Sequence, residues 1–219
     1  MKKKVYLFLL ILLPVFALAQ QVKFGVQGGF SLARTQSNSN IKFISQDYRL
    51  GPIIGGMAGV NLVDKLSIMA ELNYIAKGFK FTGTDQSSAI PVSVKGTHTT
   101  HYVELPLSLL FYFNLGNGHF FVGGGPYAAM GIKAKNKITY QVDPSPEVEE
   151  TIIKFGKDVN DIKPFDYGVQ ASLGYKLGYG SYLKASYSYG LANLSNIPET
   201  KYSNKYFGLT FGYFFNSGR

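Results

Sequence analysis

Read two residues at a time, the chain from Val22 onward is a succession of apolar and polar alternations. Over residues 22–32, Val22, Phe24, Val26, Phe30 and Leu32 fall on one side, and Lys23, Gly25, Gln27, Gly29 and Ser31 fall on the other. A period of two is the signature of a β-strand with two unlike faces. The same pattern returns at residues 66–80, 102–113, 120–133, 165–177, 182–191 and 206–215, with a less regular, glycine-rich segment at 53–62. On one face stand residues such as Leu105, Leu107, Leu109, Phe111 and Phe113; on the other stand Glu104, Pro106, Ser108 and Tyr112. Eight strands are predicted.

The connections carry the topology. Turns at 63–65, 114–119 and 178–181 are short, whereas those at about 35–50, 81–100, 134–163 and 192–204 are long. Alternating tight and large connections, together with an even number of strands about as long as the roughly 9–11 residues needed to cross a bilayer, predict a particular fold. It is all-β: an eight-stranded antiparallel up-and-down transmembrane β-barrel of the outer-membrane type. A soluble eight-stranded barrel of the lipocalin kind also alternates, but it turns its apolar face inward and its charges outward. Here the non-apolar face is mainly small, with isolated charges, which suits a narrow interior. Aromatic residues support the membrane reading, because Tyr74, Tyr102, Phe111, Tyr112, Phe113, Phe120, Phe165, Tyr167, Phe207 and 213–215 gather toward strand ends, where interfacial girdles belong.

Composition then places the barrel in the cell. Met1 and three lysines precede an apolar run from Val5 to Leu18 that ends in Ala17-Leu18-Ala19, the pattern of a secretory signal peptide cleaved after Ala19. The run contains Pro14 and is shorter than the roughly 20 residues of a spanning helix. The expected division is therefore a signal peptide over 1–19 and a barrel domain over 20–219, exported to the cell outer membrane. Cysteine is absent, which leaves neither a lipoprotein acylation site nor a disulfide framework. Without Lys2, Lys3 and Lys4, 19 basic residues face 13 acidic ones. No Lys/Arg-rich block points to nucleic acid, so the basic balance suits anionic headgroups, with outer-membrane lipid and lipopolysaccharide as the expected partners.

Several short motifs resemble a known family. Tyr102-Val-Glu-Leu-Pro106, Gly124-Gly-Pro-Tyr127, Asp166-Tyr-Gly-Val169, Tyr187-Ser-Tyr-Gly-Leu-Ala-Asn193 and the ending Phe207-Gly-Leu-Thr-Phe-Gly-Tyr-Phe214 together look like the PorT-type outer-membrane β-barrel proteins of Bacteroidetes. The resemblance covers essentially the whole mature chain and implies an eight-stranded outer-membrane barrel. The family takes its name from a member involved in protein secretion to the cell surface. Most members have no assigned activity, so that role does not carry over with the resemblance; an accessory subunit of a secretion or transport assembly, with an envelope protein as partner, stands as an alternative. The tail Asn216-Ser-Gly-Arg219 departs from an aromatic C-terminus, the signal read by the barrel assembly machinery during insertion.

Candidate chemistry is sparse. His98 and His101 sit three apart in an extended strand, so they should point to opposite faces and not share a metal. With Ser87, Ser88 and Ser93 nearby they could imitate a lipid A-modifying enzyme, yet no carboxylate-oriented His–Ser pair is readable from spacing. Gly123-Gly-Gly-Pro126 lies within a strand and reads as close backbone approach, not as a phosphate loop. Asp158-Val-Asn-Asp161 lacks the spacing of a calcium loop. No catalytic, cofactor or metal residue is assigned, and the protein reads as non-enzymatic. The inward polar residues Glu71, Lys77, Glu104, Asp166, Gln170, Lys176 and Lys184 are instead expected to interlock in the lumen, since eight strands leave room for little besides side chains.

Overall fold

The computed structural model describes residues 22–37, 44–85, 92–141 and 146–215. The expected signal peptide, Ser87, Ser88 and the tail 216–219 lie outside them. Among the described residues there are nine strands: β1 (Lys23–Ser37), β2 (Ile44–Val63), β3 (Leu66–Asp85), β4 (Val92–Leu115), β5 (Gly118–Gln141), β6 (Glu147–Ile153), β7 (Phe165–Leu177), β8 (Ser181–Gly190) and β9 (Tyr202–Phe214). Eight of them make the wall. Sequence neighbours pair antiparallel, β5 passes over β6 to pair with β7, and β9 returns to β1 from Gly25↔Phe214 to Ser37↔Tyr202. The ladder closes into a ring, which leaves no backbone edge within the apolar zone.

The two faces of each strand are inverted relative to a soluble protein. Outward residues are apolar and exposed, with Phe24 61%, Leu105 52% and Phe211 59% accessible, whereas Lys77 and Glu104 are fully buried. Such a continuous exposed apolar band is what a hydrocarbon solvent demands, and a lipocalin-like soluble barrel would reverse it. At the end carrying the short turns, Phe111 and Phe113 meet edge-on at 5.0 Å between centroids and Tyr213 meets Phe215 at 6.1 Å. At the loop end, Tyr187 and Phe207 pack at 4.7 Å, and Lys205 Nζ stands 4.3 Å from the Tyr189 ring centroid. Tyr102, Tyr112 and Phe214, expected in girdles, face the lumen instead, as the parity of their strands requires.

The long connections are shorter than expected, because the strands continue into them. β2 begins at Ile44, β3 runs to Asp85, β4 starts at Val92, and β5 runs to Gln141. β6 lies wholly within the segment read as the third long loop and pairs with β5 from Ala134↔Ile153 to Tyr140↔Glu147. The apolar alternation ends with the membrane, but residues 92–100 (Val-Ser-Val-Lys-Gly-Thr-His-Thr-Thr) and 138–140 (Ile-Thr-Tyr) keep the β-branched and aromatic content that favours extended chain. At about 3.3 Å per residue, the 24 residues of β4 extend roughly 80 Å along the strand, far more than a bilayer crossing uses. The surplus of β2 to β6 stands beyond the membrane as a one-sided sheet. Its flank is open: β1 and β2 stop pairing at Ala33↔Arg49, above which β1 follows only β9, and β2 follows only β3.

Candidate functional site

The polar residues of the inward face are sorted by strand register into two ion-pair networks. The upper one is built on Lys77 of β3. Its Nζ lies 2.9 Å from Asp166 Oδ2 of β7 and 2.6 Å from Glu104 Oε2 of β4, the latter an ion pair out of line for a hydrogen bond, and all three side chains have no exposed surface. Lys77 is caged by tyrosine rings, with Nζ 5.0, 4.6 and 5.2 Å from the centroids of Tyr102, Tyr127 and Tyr206. One ammonium thus faces two carboxylates. Neutral donors offset the excess: Tyr206 Oη–H donates to Glu104 Oε1, Tyr127 Oη–H to Asp166 Oδ1 at 3.3 Å, and Asn204 Nδ2–H to Asp166 Oδ2 at 3.0 Å. A buried charge left without such partners costs several kcal/mol, by the roughly 3–5 kcal/mol scale of broken buried pairs.

The lower network joins Lys184 of β8 to Glu71 of β3 across the lumen. Gln27 Nε2–H donates to Glu71 Oε2 at 2.5 Å, Asn73 Nδ2–H donates to the same oxygen at 3.0 Å, and Tyr182 Oη–H donates to Gln27 Oε1 at 2.7 Å. Gln170 belongs to the upper network, giving Nε2–H bonds to Ser188 Oγ at 2.8 Å and to Tyr206 Oη at 2.9 Å. Nearer the turns, Met57, Met69, Leu110, Phe121, Tyr182 and Phe214 form an apolar layer. Lys176 belongs to neither network. It pairs in register with His119 in the last rungs at the turn end, and its Nζ lies 5.2 Å from the Phe214 ring. At the loop end, Phe79 stacks on His98 at 5.3 Å, Tyr202 meets both edge-on, and Phe155 packs against Gly131. The lumen is therefore filled at successive levels by aromatic, ionic and apolar side chains.

Of the seven residues singled out from sequence, Lys77, Glu104, Asp166 and Gln170 fall in the upper network, Glu71 and Lys184 in the lower, and Lys176 in neither. The tyrosines that cage Lys77 were missed, although their signal was present: Tyr206 stands two residues from Gly208 and Tyr127 two from Ala129, hence on the inward parity. The histidines diverge. His98 is buried, with Nδ1 2.7 Å from Asn136 Oδ1 and Nε2 2.9 Å from Thr100 Oγ1. His101 faces outward, its Nδ1 2.6 Å from Tyr74 Oη. Gly123 and Gly125 sit in β5, where a Cβ would come within 2.1 Å of Leu109 O and 2.0 Å of Leu107 O, so the glycine run serves close backbone approach. Among the described residues no cluster of His, Asp and Glu converges as a metal site.

Residues 18–196 match the family described as outer membrane protein beta-barrel domain. The chain belongs to that family. Its member here is similar in shape to Neisserial surface protein A (13% identity, 88% of this chain and 97% of that one, TM-score 0.39) and to the outer membrane protein OprG from Pseudomonas aeruginosa (18%, 88% and 95%, TM-score 0.38). It is also similar to Ail, the attachment invasion locus protein of Yersinia pestis (9%, 88% and 99%, TM-score 0.34). No curated protein matches the chain in sequence. Family membership makes this an integral outer-membrane β-barrel.

Proposed function

We propose that this outer-membrane barrel is non-conducting and non-enzymatic, and that it works through its outer surface as an envelope-structural or surface-interaction protein. Residues 1–19 act as the export signal and 20–219 form the mature barrel, inserted by the barrel assembly machinery. The observation that carries this reading is the filled lumen: a caged Lys77–Glu104–Asp166 triad, the Glu71–Lys184 pair and the apolar layer occupy the space that a pore would need. What remains available is the wall, the loops and the sheet above the membrane, in contact with lipopolysaccharide or an envelope protein. The test is conductance. Purified protein in planar bilayers, free of porin, is expected to give no long-lived single-channel steps, and reproducible large steps would overturn the reading.

A second reading makes the chain an accessory subunit of a secretion or transport assembly. What supports it is the one-sided sheet of β2 to β6, which offers a protein partner more surface than short loops would; the resemblance to PorT-type proteins is compatible with it but does not by itself carry it. Stoichiometric co-isolation with envelope proteins from detergent-solubilised outer membranes would favour this reading over the first.

A further inference from the structure

On the outer wall, the change from apolar to basic is abrupt and is concentrated on β2 to β5. Tyr74, Val103 and Met130 share one rung of the apolar belt, and the next rung up of the same parity is a fully buried Ala76 followed by His101 and Lys133. A bulge between His101 and Tyr102 gives β5 one extra residue, which sets Lys133, Lys135 and Lys137 opposite His101, Thr99 and Thr97 on the outer face. A second bulge, on β2, carries Arg49, whose Nη1 lies 3.5 Å from the carbonyl O of Ala76. Arg49, His101, Lys133 and Lys135 thereby line one recess of about 560 Å³, with Tyr74 and Ile132 as its apolar floor. Lys80 and Lys95 stand further out on the same sheet.

Acidic neighbours are few. Glu150 of β6 pairs with Lys135 at 2.8 Å on the exposed surface, and Lys135 holds its carboxyl below the usual range by that bond and its charge. Asp47 lies opposite Lys80. Arg49 and Lys133 have no carboxylate opposite them in the strand register, where Arg49 faces Ala33 and Lys133 faces His101. Cations held at the upper edge of a hydrocarbon belt, above residues that acyl chains can cover, match an amphiphile with an anionic head and apolar tails.

The geometry points to this recess as a binding site for the phosphate-bearing headgroup of a glycolipid in the outer leaflet, with Arg49, Lys133 and Lys135 contacting phosphate and the acyl chains descending over Ile132, Met130 and Val103. The site deepens the surface-interaction reading and rests on it. Arg49 is suited to bidentate phosphate contact, while the two lysines act as point charges. Glu150 competes with the lipid for Lys135.

Native mass spectrometry of the full folded chain tests the assignment, with phosphorylated lipid A, dephosphorylated lipid A, phosphatidylglycerol and inorganic phosphate as probes. Phosphorylated lipid A is expected to bind roughly tenfold or more tighter than the dephosphorylated form. The double variant K133Q/K135Q should weaken it roughly 10- to 30-fold, K133R/K135R should keep it, and E150Q should tighten it. K23Q/K65Q, which removes two lysines at the opposite, short-turn end of the barrel, should change it by less than about twofold. Heat-dependent gel mobility establishes that each variant is folded. Equal binding of both lipid A forms, equal loss in the two glutamine pairs, loss in the arginine pair, or inorganic phosphate or phosphatidylglycerol competing as well as lipid A would each overturn the site. Absence of lipid retention with silent bilayers would overturn the site alone, whereas channel steps would overturn the filled-lumen reading whatever the lipid result.

Discussion

Replacing Lys77 by methionine tests whether the lumen is held by charge pairing or by packing alone. Methionine keeps most of the aliphatic stem among the rings of Tyr102, Tyr127 and Tyr206 but removes the ammonium that lies within 3 Å of two carboxylates. Glu104 and Asp166, both fully buried, would then face each other with only hydroxyl and amide donors. Removing one partner of a buried pair costs about 3–5 kcal/mol, so Lys77→Met should destabilise the barrel by at least that order. The triple variant K77M/E104Q/D166N carries no charge in this layer, and replacing a whole buried ionic group by neutral side chains is often near neutral. It should recover most of the loss, to within about 2 kcal/mol of the parent. Equilibrium urea unfolding in lipid vesicles gives the numbers, read by far-UV circular dichroism and gel mobility because the chain has no tryptophan. A Lys77→Met cost below about 1 kcal/mol, or a triple variant no better than the single one, would refute the reasoning.

Two further outcomes probe the wall and the sheet above it. Leu107→Arg, at an exposed outward position opposite Ala70, should destabilise folding into vesicles by about 2–4 kcal/mol if it lies near the bilayer centre, checked by the same urea titration in lipids of two thicknesses. Replacing residues 142–153 by a short Gly/Ser linker should leave insertion and heat-modifiable mobility intact, since β6 pairs only with the extension of β5 and loop length enters closure entropy slowly.

Parity along the strands makes most of this architecture legible in the sequence. The segment 165–177 coincides with β7, and Phe165 through Tyr175 and Asp166 through Gly174 separate onto outer and inner faces as read. Legibility failed where the apolar signal stopped and the strand did not. In residues 92–100 and 133–141 the outer face turns to lysine and threonine beyond the membrane, so no sustained apolar stripe marks them, and only their threonine, valine and isoleucine content hints at extended chain. Lys176 illustrates a different limit. Its parity was right, but its height along the barrel axis depends on the stagger between strands, which a single strand's pattern does not contain. The phosphate-facing cluster was unreadable for a related reason: Lys133 and Lys135 share a face with His101 only because one extra residue at Ile132 shifts β5 against β4.

The change of solvent along the strands also explains why the wall is a closed ring in one zone and an open sheet in the next. In hydrocarbon an unpaired backbone group has no partner, so closure from β9 to β1 is compulsory wherever the outer face is apolar. Above Ala33 and Arg49 water satisfies the backbone, and β1 and β2 separate at that height. The sheet then acquires a free edge on β6, and an exposed edge invites pairing with other chains. β6 carries Glu147, Glu149 and Glu150 in seven residues, a density of like charge that opposes such pairing, and Glu150 is tied back to Lys135. Charge on this sheet thus has two tasks that divide by strand: carboxylates on β6 guard the edge, and cations on β2 to β5 line the surface nearest the lipid.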